Sequence, residues 1–394
     1  MKVIHIINRF LPCIGGSELY VYNLSRKLIE LGNSVTVITT TSTKFRGIEN
    51  SELYEREIID GIEIVRVKAF LSGPGFVLAP TLTKVILNSA SDIYNVHGFL
   101  SNISIEGAST IKSFKRKPII LTAHDVTIAE NLKRYYPLWK LYVHSLGKFL
   151  CRNVDAVIVQ NPQDASFIRS LGISSSKIYV VPNGIDTHIF SRSNVPKHQQ
   201  ENFKEKFRIK NDKFILLFAG RIEKRKRIDL LLYALKLIIR EIGDHVILLI
   251  VGPDHGEKTE LLKTAEQLRL ERNIIFTGPL ETKDLLAAYA VADVFISLSA
   301  QEAFGLSVIE AMSMEVPVVT HRWKGISYII KDGINGFSVT PFNVKELAEK
   351  TLFLLKNNDY RKSLGKMSRT YVVENFSIEL MASRILNIYR SLIK

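Results

Sequence analysis

Phe214-Ile215-Leu216-Leu217-Phe218-Ala219-Gly220-Arg221 and, one helix-length interval later, Val246-Ile247-Leu248-Leu249-Ile250-Val251 decide the fold. Apolar runs without polar alternation are what strands buried on both faces look like. A helical pattern between two such runs supplies the right-handed crossover of a parallel sheet. The scheme continues at Ile274 to Phe276, Val294 to Ser297 and Val316 to Thr320. The first half alternates in the same way at Val3 to Ile7, Val35 to Thr39, Ile62 to Val67, Ile119 to Thr122 and Ala156 to Val159. The expected fold is therefore α/β, with two Rossmann-like, doubly wound parallel sheets. A polar stretch, Ser191 to Asn211, follows the turn sequence Val181-Pro182-Asn183-Gly184 and divides them. The expected domains are residues 1–190 and 191–376, followed by an amphipathic helix over 377–394 carrying Leu380, Ile385, Ile388, Tyr389 and Leu392. Open α/β sheets bind ligands outside the carboxyl ends of their strands, so the site is expected in a cleft between the two halves.

A length of 394 residues suits two such domains, and 46% hydrophobic with 23% charged residues excludes disorder and fibrous classes. No run approaches the roughly 18 apolar residues of a membrane span, and Met1-Lys2-Val3-Ile4-His5 leads directly into a strand pattern without a cleavage site. Cys13 and Cys151 form neither a metal-ligand spacing nor a disulfide framework. These features predict a cytoplasmic chain. The net charge of +14 points to a polyanion as neighbour: nucleic acid, an anionic membrane face or a phosphorylated substrate. Both halves are basic and no stacking-aromatic module is present, so nucleic acid is the weakest of these three.

Four segments offer chemistry, all but one directly after a strand and the first just beyond one. Gly15-Gly16-Ser17-Glu18 opens the first long helix; paired glycines let a ligand approach the backbone, Ser17 is the expected N-cap, and a bare strand-to-helix turn is the competing account. Gly220 to Asp229 holds five cations between Arg221 and Arg227. Arg221, as a planar fork, and Lys226, as a point charge, are the candidates for neutralising a diphosphate, the other three being taken as solvated. In Ser299 to Met312, Gly305 allows an unusual turn and the helix from Leu306 aims free amides back along the sheet. Glu302 then suits a sugar hydroxyl and Glu310 a diol such as a ribose, although exposed glutamates are the commoner outcome. His124, in Thr122-Ala123-His124-Asp125, stands at a strand end; His97 and His321 have weaker cases.

Together these segments resemble the retaining glycosyltransferases of family 4, which have the two-Rossmann GT-B fold. The match runs in family order through the Gly-Gly loop, the His124 setting, Val181-Pro182-Asn183-Gly184-Ile185-Asp186, Gly220-Arg221 with Lys226 and Asp229, and Glu302-x-Phe304-Gly305-Leu306 to Glu310-Ala311-Met312. The resemblance implies a nucleotide-sugar donor of UDP or GDP type. Arg221 and Lys226 would hold its diphosphate, Glu310 its ribose, and Glu302 a hexose hydroxyl, with the amides of Phe304, Gly305 and Leu306 facing sugar and phosphates. His124 would lie near the reacting face of the sugar, and Gly15 and Gly16 against the diphosphate or the acceptor. The final helix would cross back to the first domain. No Asp-x-Asp pair occurs in the chain, so no metal is expected.

Three departures stand out. Arg227 and Glu315 occupy positions where the family commonly has glycine, and Lys324-Gly325-Ile326-Ser327-Tyr328 replaces a Gly-Gly-x-Pro-Glu loop. The acceptor is expected to be a sugar, glycan or lipid-linked sugar. Basic, aromatic clusters at Lys112 to Lys117 and Lys133 to Lys140 suit peripheral association with the inner face of an anionic membrane. Two alternatives stay open: a nucleotide-sugar epimerase or hydrolase of the same fold, and a non-catalytic polyanion-binding protein.

Overall fold

The apolar runs become strands in a computed structural model that describes residues 1–13, 15–43, 47, 48, 52–73, 75–124, 126, 136–299, 302, 304–323 and 325–393. Asp125, Lys133 and Lys324, named above, and residues 134, 135, 300, 301 and 303 within the segments quoted there, lie outside the described residues. The first unit contains β1 (Lys2–Ile6), β2 (Ser34–Thr40), β3 (Gly47–Ile48), β4 (Arg56–Ile59), β5 (Ile62–Val67), β6 (Leu71–Gly73), β7 (Phe76–Leu78), β8 (Ile93–His97), β9 (Ile119–Thr122), β10 (Ala156–Val159) and β11 (Ile178–Val180). Its main sheet runs β11-β10-β9-β8-β1-β2-β5-β4, parallel except for β4 against β5, and β3, β6 and β7 make a small antiparallel sheet. The second unit contains β12 (Phe214–Ala219), β13 (Val246–Val251), β14 (Ile274–Gly278), β15 (Val294–Ser297), β16 (Val318–His321) and β17 (Phe337–Val339). All are parallel, in the order β14-β13-β12-β15-β16-β17. Strand order therefore reverses between β12 and β15, the topological switch point at which doubly wound sheets open a crevice.

Period-two geometry sends alternate residues of each strand into different cores. Ile215 and Leu217 of β12 join one cluster with Ile247 and Leu249 of β13, while Leu216 and Phe218 join another with Leu248 and Ile250. In the first unit, Ile4 and Ile6 face one core and Val3 and Ile7 the other.

The units comprise residues 1–184 with 378–394, and residues 185–377. The first boundary falls earlier than the expected 190/191 because Ile185 and Phe190 pack in the core of the second unit. There the Phe190 carbonyl accepts hydrogen bonds from Ser313 Oγ (2.6 Å) and Arg369 Nη1 (3.0 Å). The last helix, Ile378–Leu392, belongs to the first unit. It presents Ile378, Met381, Ala382, Ile385 and Tyr389 to the core, where the sequence suggested a face through Leu380. Asn95 Nδ2 donates to its Tyr389 Oη at 2.7 Å, and Lys27 pairs with its Glu379 at 2.9 Å.

Both glycine replacements sit in left-handed backbone: Arg227 at φ 52 and Glu315 at φ 60. Such a conformation costs an L-residue roughly 1–2 kcal/mol, which explains why glycine suits both positions. Arg227 has compensation, a two-pronged contact with Asp229 (3.0 and 2.8 Å) and a guanidinium 4.8 Å from the centre of the Phe342 ring. Glu315 has no ion-pair partner among the described residues. Glu315→Gly is therefore expected to stabilise the chain by about 0.5–1 kcal/mol after the entropic cost of glycine, and Arg227→Gly to be neutral or destabilising. Thermal melts of the two variants against the parent protein check this, and equal shifts of the same sign would contradict it.

Candidate active site

In the second unit, the two segments flanking the switch point leave the carboxyl ends of β12 and β15 as adjacent loops. The β12 loop passes through Gly220 into a short turn, Lys224–Lys226, and then the helix Ile228–Ile242; the β15 loop carries Glu302 to the helix Leu306–Ser313. They meet where Lys226 Nζ donates to Glu302 Oε2 at 2.5 Å. Lys226 is buried and Glu302 half-buried. Burial alone raises the Glu302 carboxyl, but the Lys226 ammonium, with Arg225 and the Ser299 hydroxyl behind it, outweighs that cost and holds it below the usual carboxylate value.

Arg221 is exposed, 3.6 Å from Glu223 Oε1. The other cations are not simply solvated, as the sequence suggested. Arg225 grips Glu223 at 2.8 Å and Arg227 is committed to Asp229; only Lys224 is exposed. Glu223 illustrates the balance: burial raises its carboxyl, and Arg225, Arg221 and Lys226 together bring it below its ordinary value.

Gly305 adopts φ 96, ψ 54 as cap of the helix Leu306–Ser313, a conformation that only glycine takes at little cost. The first bonds into that helix run from Val308 and Ile309 to the Gly305 carbonyl, so the amides of Gly305, Leu306 and Ser307 precede the hydrogen-bonded ladder and suit an anion. The Phe304 ring turns into the core against Phe376, leaving its backbone as the part available to a ligand. Glu310, half-buried one turn on, accepts from Tyr289 Oη at 2.8 Å. Burial raises its carboxyl and this hydrogen bond only partly offsets the shift. Tyr289, fully buried and wedged between Phe190 and Phe295, was not foreseen in the sequence.

The first unit gathers its polar groups at the ends of β1, β8 and β9. The helix Gly16–Glu30 begins with Gly15 as N-cap in extended backbone, φ −148, and no side chain caps it. Ser17 is thus inside the first turn and donates to Glu18 Oε2 at 2.9 Å, which corrects its expected capping role. A Cβ at Gly15 would stand 2.5 Å from Glu18 Oε2, the far end of a flexible side chain, so the Glu18 carboxylate would have to shift to admit another residue there. Glu18 is buried at the helix entrance with Arg9 3.8 Å away, a place for which the sequence reading assigned it no role. Gly16 has open space about it.

His124 follows β9, its Nε2 3.1 Å from Nδ1 of His97, the last residue of β8; His97 Nε2 lies 2.9 Å from Nδ1 of His5 on β1. Tyr20 meets the His124 ring edge-on at 4.7 Å. Burial lowers all three imidazoles, His5 and His124 to about 3, so all are neutral at pH 7. Sequence reasoning undervalued His97 and passed over His5. The available signal was a histidine at a strand position where the pattern asks for an apolar residue. His321 closes β16 and is likewise lowered, to about 4, chiefly by burial and then by Arg227.

Among the described residues, no group of three or more His, Cys, Asp or Glu is arranged to hold a metal, and no helix is long and apolar enough to cross a membrane. Residues 14–189 match the family model Glycosyltransferase Family 4, and residues 199–371 match Glycosyl transferases group 1. The D-inositol 3-phosphate glycosyltransferase of Corynebacterium aurimucosum is 26% identical over 399 residues, covering 95% of this chain and 90% of that one. The N-acetyl-alpha-D-glucosaminyl L-malate synthase of Bacillus anthracis is 23% identical over 386 residues, covering 97% and 96%. Among solved structures, Anabaena Alr3699/HepE in complex with UDP and glucose aligns with a TM-score of 0.80 at 19% identity over 100% of both chains. Sucrose-phosphate synthase from Thermosynechococcus elongatus gives 0.79 at 21%, over 100% of this chain and 99% of that one. With two doubly wound units in the GT-B fold class and two adjoining family matches that cover nearly all of its length, the chain belongs to glycosyltransferase family 4, the group 1 glycosyl transferases.

Proposed function

We propose that this glycosyltransferase moves a hexosyl unit from a UDP- or GDP-type nucleotide sugar to a sugar, glycan or lipid-linked acceptor, with retained configuration and without a metal. The observation that carries the reading is the Lys226–Glu302 pair beside exposed Arg221 at the β12/β15 switch point. Lys226 has three N–H donors and gives one to Glu302, so a diphosphate oxygen has donors left to take. Arg221 adds a planar fork and the Gly305–Ser307 amides add a helix N-terminus, all preorganised for an anion. Glu302, kept ionised by Lys226, accepts from a sugar hydroxyl, while Glu310, with one oxygen on Tyr289, offers the other to a ribose hydroxyl. Gly15 and Gly16 are assigned backbone contact with diphosphate or acceptor, and His124 the contact with the donated sugar. A UDP-and-glucose complex of the HepE neighbour supports a uridine donor.

Chemically, the bond from the anomeric carbon to the phosphate oxygen lengthens, the sugar gains oxocarbenium character and the departing diphosphate gains charge. Cations that strengthen their hold as this charge develops lower the barrier without a metal. The acceptor oxygen then bonds to the same face of the carbon, and its proton passes to the leaving phosphate oxygen. The epimerase or hydrolase alternative predicts product without an acceptor, and the polyanion-binding alternative predicts salt-sensitive binding that survives loss of Glu310. For a lipid-linked acceptor, exposed Phe114, Leu141, Leu146 and Phe149 stand among Lys112, Lys117, Lys140, Lys148 and Arg152 and suit peripheral contact with an anionic membrane; Trp139 instead packs inward on Phe167.

Arg221→Ala and Lys226→Ala are each expected to lower kcat/KM for the donor by about 10²–10³-fold, and EDTA to leave the parent rate unchanged. Proton NMR of the product is expected to show the donor's anomeric configuration. A trapped glycosyl-enzyme adduct would overturn same-face attack, and full activity after both cations are removed would overturn the assignment. In thermal-shift measurements with UDP, GDP, ADP and their sugars, the preferred nucleotide at about 100 times its Kd should add roughly 2.7 kcal/mol, a gain that Glu310→Ala abolishes.

A pH series tests the pair itself. With the folded-state Glu302 value depressed, its contribution is complete above the ordinary carboxyl value of 4.5 and fades as pH falls below it. Glu302→Gln strands a buried ammonium, so it should melt lower than the parent at neutral pH, and the gap should close as pH drops through that range. A gap constant from pH 7 to 3 would contradict the depressed value.

A further inference from the structure

We propose that His5 and His97 are positioning residues that fix the tautomer of His124, so that its ring presents an Nδ1–H donor. The inference rests on the reading above only in giving His124 a sugar to address; the tautomer follows from geometry. Strand register sets His5 beside Asn95 and His97 beside Thr122, and His124 lies two residues beyond Thr122. The three rings therefore share one face of the sheet. They form a row in which His5 Nδ1 meets His97 Nε2 at 2.9 Å and His97 Nδ1 meets His124 Nε2 at 3.1 Å.

A neutral imidazole has one N–H and one lone pair, so only two proton arrangements keep both hydrogen bonds. In the first, every ring carries its proton on Nδ1: His5 donates to His97 and His97 to His124. In the second, every ring carries it on Nε2 and each donation reverses.

The inner end of the row decides between them. His5 Nε2 is buried and has no hydrogen-bond partner among the described residues. The first arrangement leaves a lone pair there, whereas the second leaves an N–H with nothing to accept it, the rarer and costlier defect in folded proteins. The first arrangement therefore holds. At the outer end, His124 accepts on Nε2 and keeps its proton on Nδ1, for which no partner exists among the described residues. A donor sugar thus meets a neutral hydrogen-bond donor able to follow growing negative charge on oxygen. The row is closed at His5, so it orients a proton and does not conduct one away.

The test is two-bond proton–nitrogen correlation NMR on protein labelled with 15N-histidine, the His124 signals being identified by their loss in His124→Gln. At neutral pH, His124 is expected to show a protonated Nδ1 and a bare Nε2. His5→Leu removes the first donor and should give a mixture of His124 tautomers with a roughly tenfold lower kcat at little changed donor KM. His5→Asn, whose amide can still donate, should restore both. A protonated Nε2 in the parent protein overturns the proposal, as does His5→Leu with an unchanged His124 spectrum. The parent spectrum decides even if His5→Leu does not fold. It is also independent of turnover: a chain inactive on every nucleotide sugar but carrying the Nδ1–H form would sink the transferase details and leave the relay standing.

Discussion

Burying both faces of a parallel sheet leaves the ends of its strands as the places where polar side chains can collect, and that constraint organises both units. Every crossover returns the chain under the sheet, so each carboxyl end releases a loop that needs no place in the core. In the second unit the order β14-β13-β12-β15-β16-β17 separates the crossovers leaving β12 and β15 to opposite faces. Their two loops approach at the split, and Lys226 and Glu302 meet there. The conformation of Gly305 then starts a helix whose first amides look back along the sheet.

Three polar arrangements survive burial by three different means. Glu302 stays ionised because Lys226 supplies its counter-charge at contact distance, while burial and attraction act in opposite directions on the carboxyl. Glu310 has a hydroxyl partner and, among the described residues, no ion-paired cation, so burial prevails and its carboxyl is raised. The histidine row avoids charge altogether: desolvation makes protonation so costly that the rings remain neutral, and hydrogen bonds replace ion pairs. One carboxylate is thereby kept as a strong acceptor and the other as a milder one, a division that suits a sugar hydroxyl beside developing charge and a ribose hydroxyl away from it.

The long, uniformly apolar strands were legible in the sequence because burial on both faces writes itself as an uninterrupted run, as in β12 and β13. β8 was not, although it lies at the centre of the first sheet. Its Asn95 and His97 break the run, and both are tolerated inside only through partners distant in sequence: Tyr389 and Thr122 for Asn95, His5 and His124 for His97. Short edge strands such as β11 and β17 carry too few residues to show a period. Of the candidate site residues, Arg221, Lys226 and Glu302 were chosen for their residue type in loops at strand ends, and Glu310 for its place in the helix that follows. Tyr289 was not, because it reaches Glu310 from a helix with no local sign of the contact. The Ser17 cap was misjudged since the Glu18 carboxylate, one residue on, takes its hydroxyl.

The cationic run between Arg221 and Arg227 carries a related lesson about charge and conformation. Five positive side chains in one loop suggest a strong undifferentiated field, yet Glu223 grips Arg225 closely and Arg221 more loosely, Asp229 holds Arg227, and Phe342 receives that guanidinium on its face. What remains is Arg221 in solvent, Lys224 in solvent and Lys226 tied to Glu302. Had Arg227 kept its guanidinium free, the loop would offer a second fork beside Arg221. Arg227 instead keeps the left-handed turn and commits its guanidinium to Asp229, so the residue that replaces glycine adds no free charge to the loop. The charge that the loop presents is thus set by which cations are already paired, not by how many it contains.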